Sequence, residues 1–271
     1  MGDEHIIPEA LGGNLLIPEA SCAECERIIN QEIERPLIRG LFAPARALFG
    51  FPSKRPSKRP KEVLTPFVVQ NAVELHPVSA GMNPHLFVMH GFKVAGIFKS
   101  EPLADRDLRN RQIHVRPFDT AEGHAKMKEL GATGLQAGWA DDDTVRMGRL
   151  IAKIAHALAF ADGGGDWIGF QQVLPPLILG KPSLFPLSYL IGGMAPAHVD
   201  EAVPFDPASP STTHQLQWFE NEAEAYYVMC VRVRLFANWG APSYCGVVGV
   251  APISAKATIT NRPWSNRSAT L

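Results

Sequence analysis

The residues with the clearest capacity for chemistry stand at the amino terminus. Asp3-Glu4-His5-Ile6-Ile7-Pro8 is followed by Leu11-Gly12-Gly13-Asn14 and then by Ser21-Cys22-Ala23-Glu24-Cys25. Each piece alone is a weak signal; their order and close spacing give them weight. Phosphodiester hydrolysis needs a water deprotonated near neutral pH, and histidine is the side chain whose ordinary pKa suits that task. It also needs a hard divalent cation on the phosphate, hence an oxygen ligand near the base. Glu4, next to His5, can supply one. Gly12-Gly13 permits the tight reversal of a hairpin. Asn14 can fix a loop by hydrogen bonding, turn its carbonyl toward the metal, or accept a positive φ. A small module usually needs a staple, and thiolates of Cys22 and Cys25 on zinc are one. Two reduced thiols at a helix start are the alternative.

The order E-H-I-I-P, L-G-G-N, S-C-x-x-C resembles the HNH (ββα-metal) endonuclease family, in particular bacterial proteins with an acidic-His-Ile-x-Pro strand and a zinc knuckle. The following GLFAPARALFGFPSKRP is similar to the basic segment after that knuckle, so the resemblance covers about residues 1–60. It implies a metal-dependent endonuclease acting on DNA, with His5 as general base and Glu4 on a catalytic magnesium or manganese ion. It also implies Asn14 as the middle Asn that shapes the metal loop, and Cys22 and Cys25 as the second cysteine pair of a structural zinc site. The residue after the knuckle, Asn or His in the family, is Glu26 here and is an adequate hard ligand. The family often carries a first C-x-x-C ahead of the acidic-His strand. Here only Met1, Gly2 and Asp3 precede Glu4, so the expectation is a start downstream of the true one or a copy without the zinc. The rival reading is a catalytically degenerate zinc- or nucleic-acid-binding module on a larger interaction domain.

The bulk composition limits these readings. The 271 residues are 46% hydrophobic, enough to bury a core easily, and carry a net charge of −1. A protein gripping nucleic acid over its whole surface is normally more basic, so binding must come from a local patch. Such a patch is legible in Arg46, Lys54, Arg55, Lys58 and Arg59, within or just before the repeat SKRPSKRP. Each proline there lacks an amide donor and disfavours the helical region for the arginine before it, so an extended arm or solvated linker is expected. No secretory signal and no run of 18 apolar residues is visible, which predicts a cytoplasmic chain without a membrane span. No serine or cysteine triad, dinucleotide fingerprint or Walker loop is present.

The elements that must position these residues read as α+β. A ββα-metal module over 1–35, a basic Pro-rich linker over 36–64 and a larger mixed α+β domain over 65–271 are expected. PFVVQNAVEL (66–75) and LFVMHGFKVAGIF (86–98) have strand composition. Met147, Leu150, Ile151, Ile154 and Leu158 predict an amphipathic helix over 144–160, with Arg149, Lys153 and His156 on an exposed face. Asp141-Asp142-Asp143 fits its N-terminus and Gly163-Gly164-Gly165 its end. The Pro-rich stretch 174–210 is expected to loop over the surface. Residues 225–237 and 243–253 predict an antiparallel pair, with Arg232 and Arg234 on an exposed face. Cys230 and Cys245, both reduced, would face each other.

Overall fold

The computed structural model describes residues 2–48, 50–51, 61–79, 85–99, 102–104, 106–118, 121–136, 141–163, 170–194, 214–256 and 268–270. Lys54, Arg55, Lys58 and Arg59, and residues 195–210 of the Pro-rich stretch, therefore lie outside the described residues. The fold is α+β. The chain opens with a hairpin of β1 (Gly2–His5) and β2 (Leu16–Ser21), followed by α1 (Ala23–Ile28). A π-helical stretch, Ile29–Glu34, leads into α2 (Arg35–Arg39), and α3 (Ala43–Leu48) follows. Pro36 accounts for the π stretch: it cannot donate to the i−4 carbonyl and its ring crowds that carbonyl. The amide of Arg35 accordingly reaches back to Asn30.

Strands β3 (Glu62–Val69) and β4 (Ala72–Ser79) pair as a hairpin around Gln70 and Asn71, both at positive φ. The segment 66–75 thus bends back on itself instead of running as one strand. Next come β5 (His85–Phe92), β6 (Arg109–Phe118), α4 (Ala121–Leu130) and β7 (Ala132–Leu135). Here β5 pairs β6, and β7 pairs β3.

Helix α5, Asp141–Gly163, contains the apolar residues that the 3.6-residue period picked out. Elements β8 (Gln171–Gln172), α6 (Pro175–Ile178), α7 (Leu187–Leu190) and β9 (Ile191–Gly193) follow. Far from looping over the surface, this stretch buries Leu174, Ile178, Leu190 and Ile191. Strands β10 (Gln215–Ala223), β11 (Tyr226–Arg234), β12 (Tyr244–Pro252) and β13 (Ser268–Thr270) complete an antiparallel sheet in the order β13-β10-β11-β12-β8, with β9 also on β12. The pairing of β11 with β12 matches the sequence expectation.

One hydrophobic cluster runs from Ile6, Ile7 and Leu11 of the first connection, through α5, to Val247 and Val250 of β12. Phe42 and Phe51 extend it: the Phe42 ring stands 5.6 Å from Phe236, and Phe51 stacks on Trp239 at 6.1 Å. The first fifty residues therefore share a core with the last strands. This arrangement corrects the exposed face expected for α5. Lys153 is 2% exposed and His156 is largely buried, because α5 is flanked by the sheet and by the amino-terminal helices. A helix covered on both sides buries what a two-sided amphipathic reading leaves outside.

Arg232 and Arg234 are also buried rather than exposed. Arg232 donates to Gln217 at 2.7 Å and Arg234 to the Ala241 carbonyl at 2.9 Å. Cys230 and Cys245 are free thiols; a bulge sets Cys230 opposite Val247 and Cys245 opposite Arg232 in the backbone register, yet the two side chains meet and share a hydrogen bond. Burial pushes the Cys230 thiol well up. Among the described residues no helix is long and apolar enough to cross a membrane.

Candidate functional site

The connection between β1 and β2 sets the site. Residues Glu9–Leu11 form a 3-10 turn closed by Gly12 at φ 93°, a left-handed conformation that suits glycine. Gly13 is needed for a different reason. A β-carbon there would lie 2.0 Å from the Ile7 carbonyl oxygen, so the chain passes too close for any side chain. Arg46 of α3 braces this connection, donating from Nε to the Ala10 carbonyl at 2.8 Å. His214 closes it from the other side. Its Nδ1 accepts from the Phe236 amide at 3.1 Å, so its Nε2 carries the proton donated to the Leu11 carbonyl at 3.0 Å. Burial holds His214 down at about 4, consistent with a neutral ring serving as one donor and one acceptor.

Register in β1 shifts between Gly2 and Glu4, and such irregularities re-aim side chains. As a result Asp3, Glu4 and His5 all line one cavity of about 290 Å³. The helical run supplies the opposite wall with Glu26, Asn30 and Glu34, and Glu9 and Arg46 complete the polar lining. Glu26 lies over the backbone of Gly2, where an added β-carbon would be 2.6 Å from its Oε2. The cavity therefore holds five carboxylates against one guanidinium. His5 is half-buried, and its buried Nδ1 has no hydrogen-bond partner among the described residues.

Glu4 is engaged on both oxygens. Its Oε2 accepts from Ser21 Oγ at 3.3 Å, and its Oε1 pairs with Lys153 Nζ at 2.5 Å. The same ammonium lies 3.1 Å from Glu34 Oε1 and 3.3 Å from the Ile6 carbonyl, and it also bonds the His5 carbonyl. Burial pushes the Glu34 carboxyl above its usual range, and Lys153 opposes that shift.

Behind Glu4 and Lys153 lies a second cavity, of about 240 Å³, lined by Cys22, Cys25, His156, Phe160 and neighbouring apolar residues. Cys22 caps α1, its sulfur accepting from the Cys25 amide, and the two sulfurs are 3.1 Å apart. The hydrogen bonds from Cys25 hold the Cys22 thiol below its ordinary value, while the shared bond and burial push Cys25 up. Burial drives His156 down to about 4.

Of the residues read from sequence, His5, Glu4, Glu26 and Arg46 meet at the first cavity, whereas Cys22 and Cys25 meet beside the second. Asn14 is exposed and lines neither. Arg46, read as a nucleic-acid contact, is tied to backbone carbonyls. Sequence reasoning missed Asn30 and Glu34, although successive steps of four residues from Glu26 place them on one helical face. It also missed Lys153, whose distance along the chain leaves no local signal.

The donors suit a hard divalent cation in kind, being carboxylate and amide oxygens. Among the described residues no three His, Cys, Asp or Glu side chains converge to hold a metal by themselves. A catalytic magnesium does not require that: it is commonly bound by one or two carboxylates together with substrate phosphates. A tetrahedral zinc site takes four ligands, of which the two cysteine sulfurs would be two. No known protein-family model matches the chain, and neither the characterised proteins nor the solved structures compared with it give a significant match.

Proposed function

We propose that the chain is an HNH-type, metal-dependent endonuclease that hydrolyses phosphodiester bonds in DNA. The observation that carries the reading is the cavity between hairpin and helix, where His5 stands among carboxylate and amide oxygens. A phosphodiester is an anion, and the five carboxylates outnumber the Arg46 guanidinium and the Lys153 ammonium that pairs with two of them, so the cavity repels it. A substrate of that class approaches such a cavity only with a cation to bridge it.

Glu26 and Asn30 would hold the ion, with Glu4 joining when its bond to Lys153 is released. When bound, the magnesium or manganese supplies charge stabilisation to the scissile phosphate. His5 would take the proton of the attacking water as general base. Cys22 and Cys25 would staple the start of α1 through zinc. The arm bearing Lys54, Arg55, Lys58 and Arg59 would meet the DNA backbone, making binding weaken steeply with salt.

The test is nicking of supercoiled plasmid with magnesium or manganese. The parent chain should cut, and His5→Ala should lose about 100-fold or more, the usual contribution of a positioned base. Equal cutting by His5→Ala overturns the mechanism. A second reading, a non-catalytic nucleic-acid-binding module, is favoured by one observation: the Lys153 ammonium already pairs with Glu4. It predicts retention of DNA in a gel-shift assay with no cutting by the parent chain.

A further inference from the structure

Lys153 is a buried ammonium inside a shell of hard oxygens. Two carboxylates, Glu4 and Glu34, and two backbone carbonyls, those of His5 and Ile6, surround its Nζ. These are the donor types that calcium and manganese use. The lysine arrives from α5, far along the chain, whereas all four oxygens belong to the first thirty-four residues. Without the ammonium, two carboxylates would face each other with little water around them, an arrangement that is strongly unfavourable until another cation enters.

We propose that Lys153 is a resident cation occupying a latent divalent-ion site, so that the ammonium and a metal ion compete for Glu4 and Glu34. Helix α5 thereby controls whether Glu4 is available to a metal. The proposal rests on the nuclease reading for its bearing on cleavage, since Glu4 belongs to both. It does not rest on that reading for cation binding.

Methionine is the informative replacement. Its side chain follows the lysine stem but ends one atom short, so Lys153→Met keeps the packing of α5 and vacates the Nζ position. Manganese binding is measured on the full chain by titration calorimetry and by the loss of the free-ion electron paramagnetic resonance signal. Lys153→Met should bind manganese at least about tenfold more tightly than the parent, because the ion then satisfies the two half-buried carboxylates. Adding Glu34→Gln should remove the gain. If Lys153→Met is folded and binds manganese no more tightly than the parent, the proposal fails. It also fails if the gain survives Glu34→Gln. Should Lys153→Met not fold in metal-free buffer, folding restored by millimolar manganese but not by matched ionic strength supports it, and absence of rescue overturns it. A parent that cuts nothing while Lys153→Met gains the ion defeats the nuclease reading alone. A parent with His5-dependent cutting and no gain in Lys153→Met defeats this proposal alone.

Discussion

Helix α5 has two unlike neighbours. On the side of the sheet it packs through small and apolar groups: Ala155 stands against Gly246, where an added β-carbon would lie 2.8 Å from the alanine methyl. On the side of the amino-terminal hairpin and helices it presents Lys153 and His156 to carboxylates, carbonyls and thiols. Contact of the first kind is non-directional and tolerates adjustment, since methyl groups and strands can shift by a few tenths of an ångström. The second kind is directional: each group needs its own partner, and removing one strands the other. One helix thus seals a core with one face and sets the charge balance of a cavity with the other.

The sharpest way to separate the two sides is to crowd each with one methyl group. Gly13→Ala places a β-carbon 2.0 Å from the Ile7 carbonyl oxygen, a backbone atom with no means of swinging aside. The first connection must then move, taking with it the Leu11 carbonyl held by His214. A loss of about 3 kcal/mol or more is expected. Gly246→Ala meets the Ala155 methyl at 2.8 Å, a lesser overlap, and a loss of about 1–3 kcal/mol is expected. Urea unfolding of both variants gives the ranking. A larger loss for Gly246→Ala would show the sheet side to be the less forgiving one.

Acid separates them next. His156 and His214 are held down at about 4 by burial, against an ordinary 6.5. The unfolded chain therefore binds more protons between those values, so stability falls as pH drops below about 6.5 and levels off near 4. The slope is at most roughly 1.4 kcal/mol per pH unit for each histidine. Glu34, with its carboxyl raised in the fold, works in the opposite sense near the acid end. The check is therefore a difference: His156→Phe should flatten the fall in melting temperature between pH 6.5 and 5, while leaving the value at pH 7.5 the less affected. An unchanged slope would mean that water reaches His156 in the folded state.

The same contrast explains what could be read from sequence. Apolar periodicity gave α5 and the pair β11–β12, because burial follows a period that survives in the string of residues. Proximity in the chain gave His5, Glu4 and Glu26, which a hairpin and the next helix bring together with local geometry alone. Lys153, His156, Arg232 and Arg234 were misplaced on exposed faces, since a charge on a helix or strand is normally solvated and nothing local signals a partner. Their partners come from distant segments: Glu4 and Glu34 for Lys153, and Ala241 and Gln217 for the arginines. Glu34 escaped notice although it shares a face with Glu26 and Asn30. Pro36, whose effect on the preceding turn is a matter of tertiary accommodation, widens the helix just where Glu34 sits.

The smallest expected effect tests whether the amino-terminal side of α5 is held at its centre or at its rim. Arg149 Nη2 reaches Glu32 Oε2 at 3.1 Å, across the same interface that Lys153 occupies more deeply. Glu32 is 48% exposed, so water and salt screen the pair. Arg149 keeps two hydrogen bonds to the Ile178 carbonyl, at 2.8 and 3.1 Å, whatever happens to the carboxylate. Glu32→Gln should therefore lower stability by less than about 0.5 kcal/mol, as exposed pairs usually do. That loss corresponds to a melting shift of about 2 °C or less for a chain of this size. Raising the salt should shrink the difference further. A loss well above 1 kcal/mol would instead put the grip between α5 and the π-helical stretch in this peripheral pair, and the buried ammonium could then be removed without loosening the interface.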